Sequence, residues 1–410
     1  MPCTSGYKIL VDERMSNMVQ MLKGIKVVEF TTSGSAPICG KLLAEYGADV
    51  ILVEDTKHGT STRGLPVYDF FNMNKKSISI NLKDPDGLAL MHRMLAEADV
   101  FLSNFRVKAL KKFGLDYESM HNKYPRLIHA VLSGYGEKGP AKDDPGFDVT
   151  AFWGRAGVEY TMQQEGVVGI VPPSSIGDNC TGTVLCGGII AALFNRERTG
   201  KGMKVSTSLM AVGVWANNNM MIFAQNGVKY PPNRLKPARA MMNSYPCKDG
   251  VFNMLLHNFD RDFNKLLKIM GREDLIGDPR WTCLKDTEGP GALPLREIMD
   301  EAFSKMTVAE ARAAFMENDM AFGYLQPPDE LLQDPQALEN QFIRKHKCTY
   351  VDKEMYFACN PVKFDDDDDI MWGDAPKLGE QTVEIMKQHG YSDEEIQAML
   401  DKNTVVAAEQ

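Results

Sequence analysis

Two acids set in glycine-rich turns carry the most reactive prospects in this chain: Asp148 in PGFDVTAFW and Asp178 in SSIGDNCTG. A carboxylate in a tight turn beside Gly177 can be approached closely by a substrate, and an exposed carboxylate can attack an acyl group to form a covalent intermediate. The same residue types also serve structure. Asp in Gly-Asp-Asn caps helices through nearby backbone N–H groups, and PGFD before VTAFW reads as a loop entering a buried helix. Local spacing leaves both uses open for both acids.

Other chemistries are poorly supplied. The eight cysteines (Cys3, Cys39, Cys180, Cys186, Cys247, Cys283, Cys348 and Cys359) are scattered without a CxxC pair. They indicate neither a zinc site nor a disulfide framework, and a reducing cytoplasm is the expected setting. The acidic run Asp365 to Asp369 lacks EF-hand spacing and reads as a solvated loop. The turn after Phe30, TTSGSAP, lacks GxGxxG, and no GxxxxGK[ST] occurs, which disfavours NAD and ATP.

The elements that must position these acids form an α/β pattern. GIKVVEF (24–30) and ADVILVE (48–54) are β-branched runs flanking a helical segment around Cys39 to Tyr46, and ADVFLSNF (98–105) and LIHAVLSGYG (127–136) repeat the alternation. A parallel sheet covered by helices, Rossmann-like in outline, is expected. At 410 residues, 44% hydrophobic and 25% charged, the chain is long enough for two domains. The density of Pro and charge in YPPNRLKPAR marks a boundary, so a large domain over 1–227 and a small α+β domain over 228–330 are expected. The segment 331–410 is expected to return to the large domain. A net charge of −9 argues against nucleic-acid or anionic-membrane partners while leaving room for a local basic pocket for a phosphorylated ligand. Asp12, Glu13 and Arg14 interrupt the N-terminal stretch, which therefore reads as neither signal peptide nor anchor, and no run elsewhere reads as long enough to span a bilayer.

In order along the chain, GIKVVEFTTSGSAPICGKLLAEYGADVILVE, NMNKKSISINLKDPDG, ADVFLSNFRVKALKKFGLDY, SGYGEKGPAKDDPGFD, SSIGDNCTGTVLCGGIIAAL, RTGKGMKVSTSLM and DPQALENQF closely resemble the class III CoA-transferases, the carnitine, formyl and bile-acid type, from about Leu22 to Leu400. The spelling of NFRVKALKKFGLDYESMHNKYPRL through GFDVTAFWGRAG is most similar to the branch acting on (R)-2-hydroxy acids such as phenyllactate or 2-hydroxyisocaproate in amino-acid-fermenting anaerobes. The resemblance implies that Asp178 is the nucleophile, passing through an aspartyl anhydride and an enzyme–CoA thioester. It implies CoA binding at Lys83, Asn104, Phe105, Arg106 and Lys112. CoA is then a substrate, with no permanently bound cofactor and no metal. Lys112 replaces the more usual Arg and loses the bidentate fork on phosphate. Gly34 stands where formyl-type members carry Gln, Asp55 where many carry Arg or Pro, and the second domain lacks the tetraglycine loop of the formyl branch.

The resemblance further implies a homodimer of interlocked rings and allows association with a 2-hydroxyacyl-CoA dehydratase. Two alternatives stand beside it. Racemases of 2-methylacyl-CoA share the fold, but they carry His where this chain has Phe147, and a phenyl ring cannot move a proton. A non-catalytic CoA-binding subunit would keep the fold without needing Asp178.

Overall fold

The computed structural model describes residues 20–364 and 372–408; the Asp365 to Asp369 run and the N-terminal stretch read above as lacking a leader lie outside them. The first strands are β1 (Lys26–Phe30), β2 (Asp49–Glu54), β3 (Lys76–Ile80), β4 (Val100–Ser103), β5 (Ile128–Ser133) and β6 (Lys204–Ser208). They lie in the order β3-β2-β1-β4-β5-β6, all parallel, and the edge strand Val405–Val406 pairs antiparallel with β3. The register sets Val28 opposite both Ile51 and Phe101. Strands covered on both faces read as apolar runs, which is why β1, β2, β4 and β5 are visible in the sequence. β3 (KSISI) and β6 (KVSTS) are not, because their alternate positions are polar. Ser77 in β3 is fully buried, with its hydroxyl donating to Glu54 at 2.6 Å.

Strand order reverses between β1 and β4, and in open α/β sheets this switch point opens a crevice at the carboxyl ends of the strands. Helix α1 (Ser35–Glu45) leaves β1 through TTSG, and helix α2 (Ile176–Thr199) precedes β6. The two helices pack at very short range: a Cβ at Gly182 of α2 would lie 2.4 Å from the Ser35 carbonyl oxygen and 2.9 Å from Ile38 Cβ. By length and composition α2 could cross a membrane, which corrects the expectation that no run is long enough. Its Leu185, Cys186, Ile189 and Leu193 instead join Ile38, Leu42 and Leu43 in the core between α1 and the sheet.

Under α1 lies a buried ion pair. Glu29 of β1 and Lys75 meet at 2.9 Å with both side chains fully buried. Lys75 Nζ also donates to the Pro37 carbonyl at 2.9 Å and to Asn72 Oδ1 at 3.0 Å, and Thr31 Oγ1 donates to Glu29 at 2.7 Å. Gly40 makes room for the carboxylate, since a Cβ there would fall 1.7 Å from Glu29 Oε2. Burial pushes the Glu29 carboxyl up and the Lys75 ammonium down, and the attraction between them opposes both shifts.

The chain divides into two compact units. One comprises the described residues up to Glu159, Val171–Met221 and those from Pro335 on; the other comprises Tyr160–Ile170 and Ile222–Asp334. The second unit begins at 222 rather than 228 and runs to 334 rather than 330. It also takes in 160–170, because the Glu165 N–H donates to the Pro232 carbonyl at 2.8 Å and Gln164 bonds Asn233 at 3.0 Å. Its antiparallel strands β7 (Met242–Pro246), β8 (Val251–Leu255) and β9 (Gly323–Tyr324) enclose Tyr245, Phe252, Phe303 and Phe315 with the helices Phe259–Ile269, Ala292–Phe303 and Val308–Glu317. In the first unit the helices Thr382–Gln388 and Asp393–Asp401 place Ile385, Met386 and Met399 against Ile78 and Ile80.

Removing one member of a buried pair strands the other charge, so Lys75→Met is expected to destabilise the protein by about 3–5 kcal/mol. The double variant Glu29→Gln/Lys75→Met recovers a substantial part of that loss. The midpoints of urea unfolding check both.

Candidate active site

A cavity of about 800 Å³ opens at the switch point, lined by Thr32 and Ser33 after β1, Asn104 to Arg106 after β4, Gly134 after β5, and both Asp148 and Asp178. Asp178 is the third residue of α2, whose N-cap Ser175 adopts left-handed backbone at φ 74°. Asp148 opens the π-helical turn Asp148–Arg155. Its Oδ1 accepts the Asp178 N–H at 2.9 Å, and its Oδ2 accepts the Ser175 N–H and Trp153 Nε1, each at 3.1 Å. Asp148 therefore does the capping at the start of α2. Gly177 is required by this contact, since a Cβ there would lie 2.4 Å from Asp148 Oδ1 and 2.3 Å from Phe152 Cγ.

With its own backbone N–H satisfied by Asp148, the Asp178 side chain turns to the cavity and rests against Gly34. A Cβ at Gly34 would sit 2.6 Å from Asp178 Oδ2. The Ser35 side chain lies at the same cavity beside this carboxylate and favours its ionised form. Burial raises the Asp178 carboxyl to about 6, the Ser35 side chain holds it down, and the negative Asp148 pushes it further up. Burial also raises Asp148, against the backbone N–H bonds that stabilise its ionised form.

The residues expected to hold CoA separate into two groups. Asn104, Phe105 and Arg106 line the cavity. Asn104 also fastens the β1–α1 turn, accepting the Thr32 N–H at 2.9 Å and donating to the Thr32 carbonyl at 2.6 Å, and Phe105 stacks on Phe30 with ring centroids 4.3 Å apart. Lys83 and Lys112 are exposed and do not line the cavity. Lys83 follows β3, with β2 and β1 between it and the switch point. Lys108, Lys111, Lys138 and Lys142 stand at the cavity instead. Lys108 and Lys111 lie at three-residue spacing on the helix Val107–Lys111.

Sequence reading did not single out Ser35 or the hydroxyl cluster at the cavity mouth. There Ser33, at φ 62°, has its N–H held by Ser61 Oγ at 3.2 Å, and Thr32 Oγ1 donates to Ser61 at 3.1 Å. The run of Thr and Ser in TTSGS directly after the apolar strand VVEF is the signal that could have found it. Asp55 accepts the Lys57 N–H at 2.9 Å and caps its own turn. Phe147 is 62% exposed at the cavity rim. His129, a cavity histidine, shares a hydrogen bond with the Leu115 carbonyl at 3.0 Å, and burial lowers its pKa toward the neutral ring.

A family model described as CoA-transferase family III matches residues 22–382. The chain is 36% identical to the (R)-2-hydroxy-4-methylpentanoate CoA-transferase of Clostridioides difficile, over 94% of this chain and 99% of that one. It is likewise 36% identical to the cinnamoyl-CoA:phenyllactate CoA-transferase of Clostridium sporogenes, over 96% and 100%. Among solved structures, a CAIB/BAIF family protein from Brucella suis superposes with a TM-score of 0.78 at 25% identity, covering 90% of this chain and 99% of that one.

Keeping Asp178 ionised in a half-buried site costs stability. Its folded pKa is raised, so the cost is absent where the acid is neutral in both states, grows as pH rises from 3.8 to about 6, and is full above that. Asp178→Asn is therefore expected to stabilise the protein at pH 7.5. The shift corresponds to at most about 3 kcal/mol, and solvent reaching the carboxylate from the cavity reduces this to about 1–2 kcal/mol. Thermal melts of the two proteins should converge below pH 4.

Proposed function

Because the chain belongs to CoA-transferase family III and is a CoA-transferase, we propose that it moves CoA from an acyl- or enoyl-CoA to a free (R)-2-hydroxy acid, such as 2-hydroxyisocaproate or phenyllactate, with Asp178 as the covalent nucleophile. One observation carries this reading: Asp148 takes the N–H groups at the start of α2, leaving the Asp178 carboxylate turned into the cavity. The carboxylate attacks the thioester carbonyl, and CoA thiolate leaves as an anhydride forms. The thiolate then adds to the Asp178 side-chain carbon and the donor acid departs, leaving an enzyme–CoA thioester. The acceptor acid runs the sequence backwards. One thioester replaces another, so no nucleotide need be consumed. A pKa near 6 keeps the nucleophile ionised at neutral pH while making it a better nucleophile than an ordinary carboxylate.

Arg106, Lys108, Lys111, Lys138 and Lys142 supply positive charge at the cavity for the phosphates of CoA. In this reading Lys83 and Lys112 meet the outer part of the nucleotide. The protein works in the cytoplasm as a homodimer, without a resident cofactor or metal, and can hand its product to a 2-hydroxyacyl-CoA dehydratase. The apolar stripe of Val184, Ile190 and Phe194 on α2, with the 82% exposed Trp215, supports a second copy as partner.

Trapping with hydroxylamine or borohydride after mixing with a 2-hydroxyacyl-CoA, followed by intact-protein mass spectrometry, is expected to mark Asp178 and to mark nothing in Asp178→Ala. CoA binding with no adduct across a panel of acyl-CoAs would favour the non-catalytic subunit. The rate at limiting acyl-CoA is expected to fall tenfold per pH unit below about 6 and to be flat above it. Gly34→Ala, which displaces the carboxylate, is expected to lower kcat about a hundredfold with native melting behaviour.

A further inference from the structure

We propose that Ser35 is a second catalytic residue, its hydroxyl holding the carbonyl oxygen of acylated Asp178 while CoA thiolate or the acceptor carboxylate adds to the side-chain carbon. The proposal deepens the covalent reading above and rests on it. Ser35 is the first residue of α1, only 4% exposed, and faces the cavity beside Asp178. Its side chain borders the Asp178 carboxylate at the same cavity and favours the ionised form. The missing Cβ at Gly34 lets that carboxylate rest against the backbone just before α1. The close packing of α1 on α2 at Gly182 fixes Ser35 relative to the nucleophile, because the Ser35 carbonyl oxygen is itself the atom that a Cβ at 182 would strike.

The chemistry needs a donor at this place. When the anhydride forms, one Asp178 oxygen becomes the bridge to the acyl group and the other remains a carbonyl oxygen. CoA thiolate then forms an S–Cγ bond, and the C=O electron pair moves onto that second oxygen. The pair returns as the Cγ–O bond to the bridge breaks, the donor acid leaves as carboxylate, and no proton is gained or lost. In the reverse half, a carboxylate oxygen adds to the thioester carbon and the thiolate leaves. Each addition places negative charge on the Asp178 oxygen, and a donor positioned beforehand stabilises it without reorganisation. The backbone N–H groups of Ser35 and Ala36, at the first turn of a helix whose third residue Pro37 has none, add their dipoles on the same side.

Ser35→Ala is expected to lower kcat by about 10²–10³-fold with the KM for acyl-CoA changed only a few-fold, as for loss of one oxyanion donor. In a single turnover, the trapped enzyme–CoA thioester should appear correspondingly later. The acid limb of the rate profile should move to higher pH, because burial and the charge of Asp148, the ionised group facing Asp178, remain while the opposing hydroxyl is gone. A purely structural hydroxyl would leave that limb in place. Ser35→Cys fits the same space with a weaker donor and is expected to fall between the two, which keeps the test open if the alanine variant folds poorly. Wild-type kcat and an unmoved limb in either well-folded variant overturn the role of Ser35. Wild-type protein that forms no Asp178 adduct removes the covalent reading and this proposal together.

Discussion

Asp148 commits both carboxylate oxygens to protein donors, two from the backbone at the start of α2 and one from Trp153. This single side chain holds the loop before α2 against the π-helical turn and satisfies the N–H of the residue that points into the cavity. A helix start ordinarily uses its own local acid for this task. Here the cap comes from thirty residues earlier, so the local acid is released for other use. Gly177 exists to let the two segments touch, and Phe152 and Trp153 close the contact from the core side.

The opposite wall has the same logic with different chemistry. Gly34 and Ser35 sit at the head of α1, whose Pro37 carbonyl is held from beneath by Lys75, itself paired with Glu29 of β1. A fully buried ion pair adds little net stability over apolar residues of the same size. Its effect at this position is directional, because it ties the end of β1, the first turn of α1 and the segment before β3 to one point. Gly40 and Gly182 then allow carboxylate and helix to approach without a side chain between them.

Much of this was legible in the sequence, and the rest was hidden for identifiable reasons. The apolar runs of β1, β2, β4 and β5 mark the sheet, and the break at YPPNRLKPAR begins eight residues beyond the start of the second unit's main segment. β3 escaped because its alternate positions are buried serines: the Ser77 hydroxyl donates to Glu54, and the Ser79 backbone N–H donates to Thr382, three hundred residues away. The capping and cavity-facing uses of Asp148 and Asp178 could not be told apart locally, since both lie in glycine turns and only the fold shows which acid reaches which N–H. Lys111 and Lys112 are adjacent in the chain but differ by a helical step, so one reaches the cavity and the other does not. Ser35 carries no local signal, since a serine in TTSGSAP is chemically like any turn residue.

The edge strand Val405–Val406 covers the outer side of β3, and the Thr404 carbonyl accepts the Asn81 N–H just past its end. During synthesis this cover is made only after the second unit's main segment, Ile222–Asp334, has left the ribosome. Until then β3 presents an uncovered ladder of backbone donors and acceptors, the kind of edge that recruits foreign strands. The same sheet that opens a cavity at its switch point thus leaves its outer edge at β3 dependent on a stretch of chain beyond the second unit, and the vulnerable interval in this protein's life falls before Val405–Val406 docks.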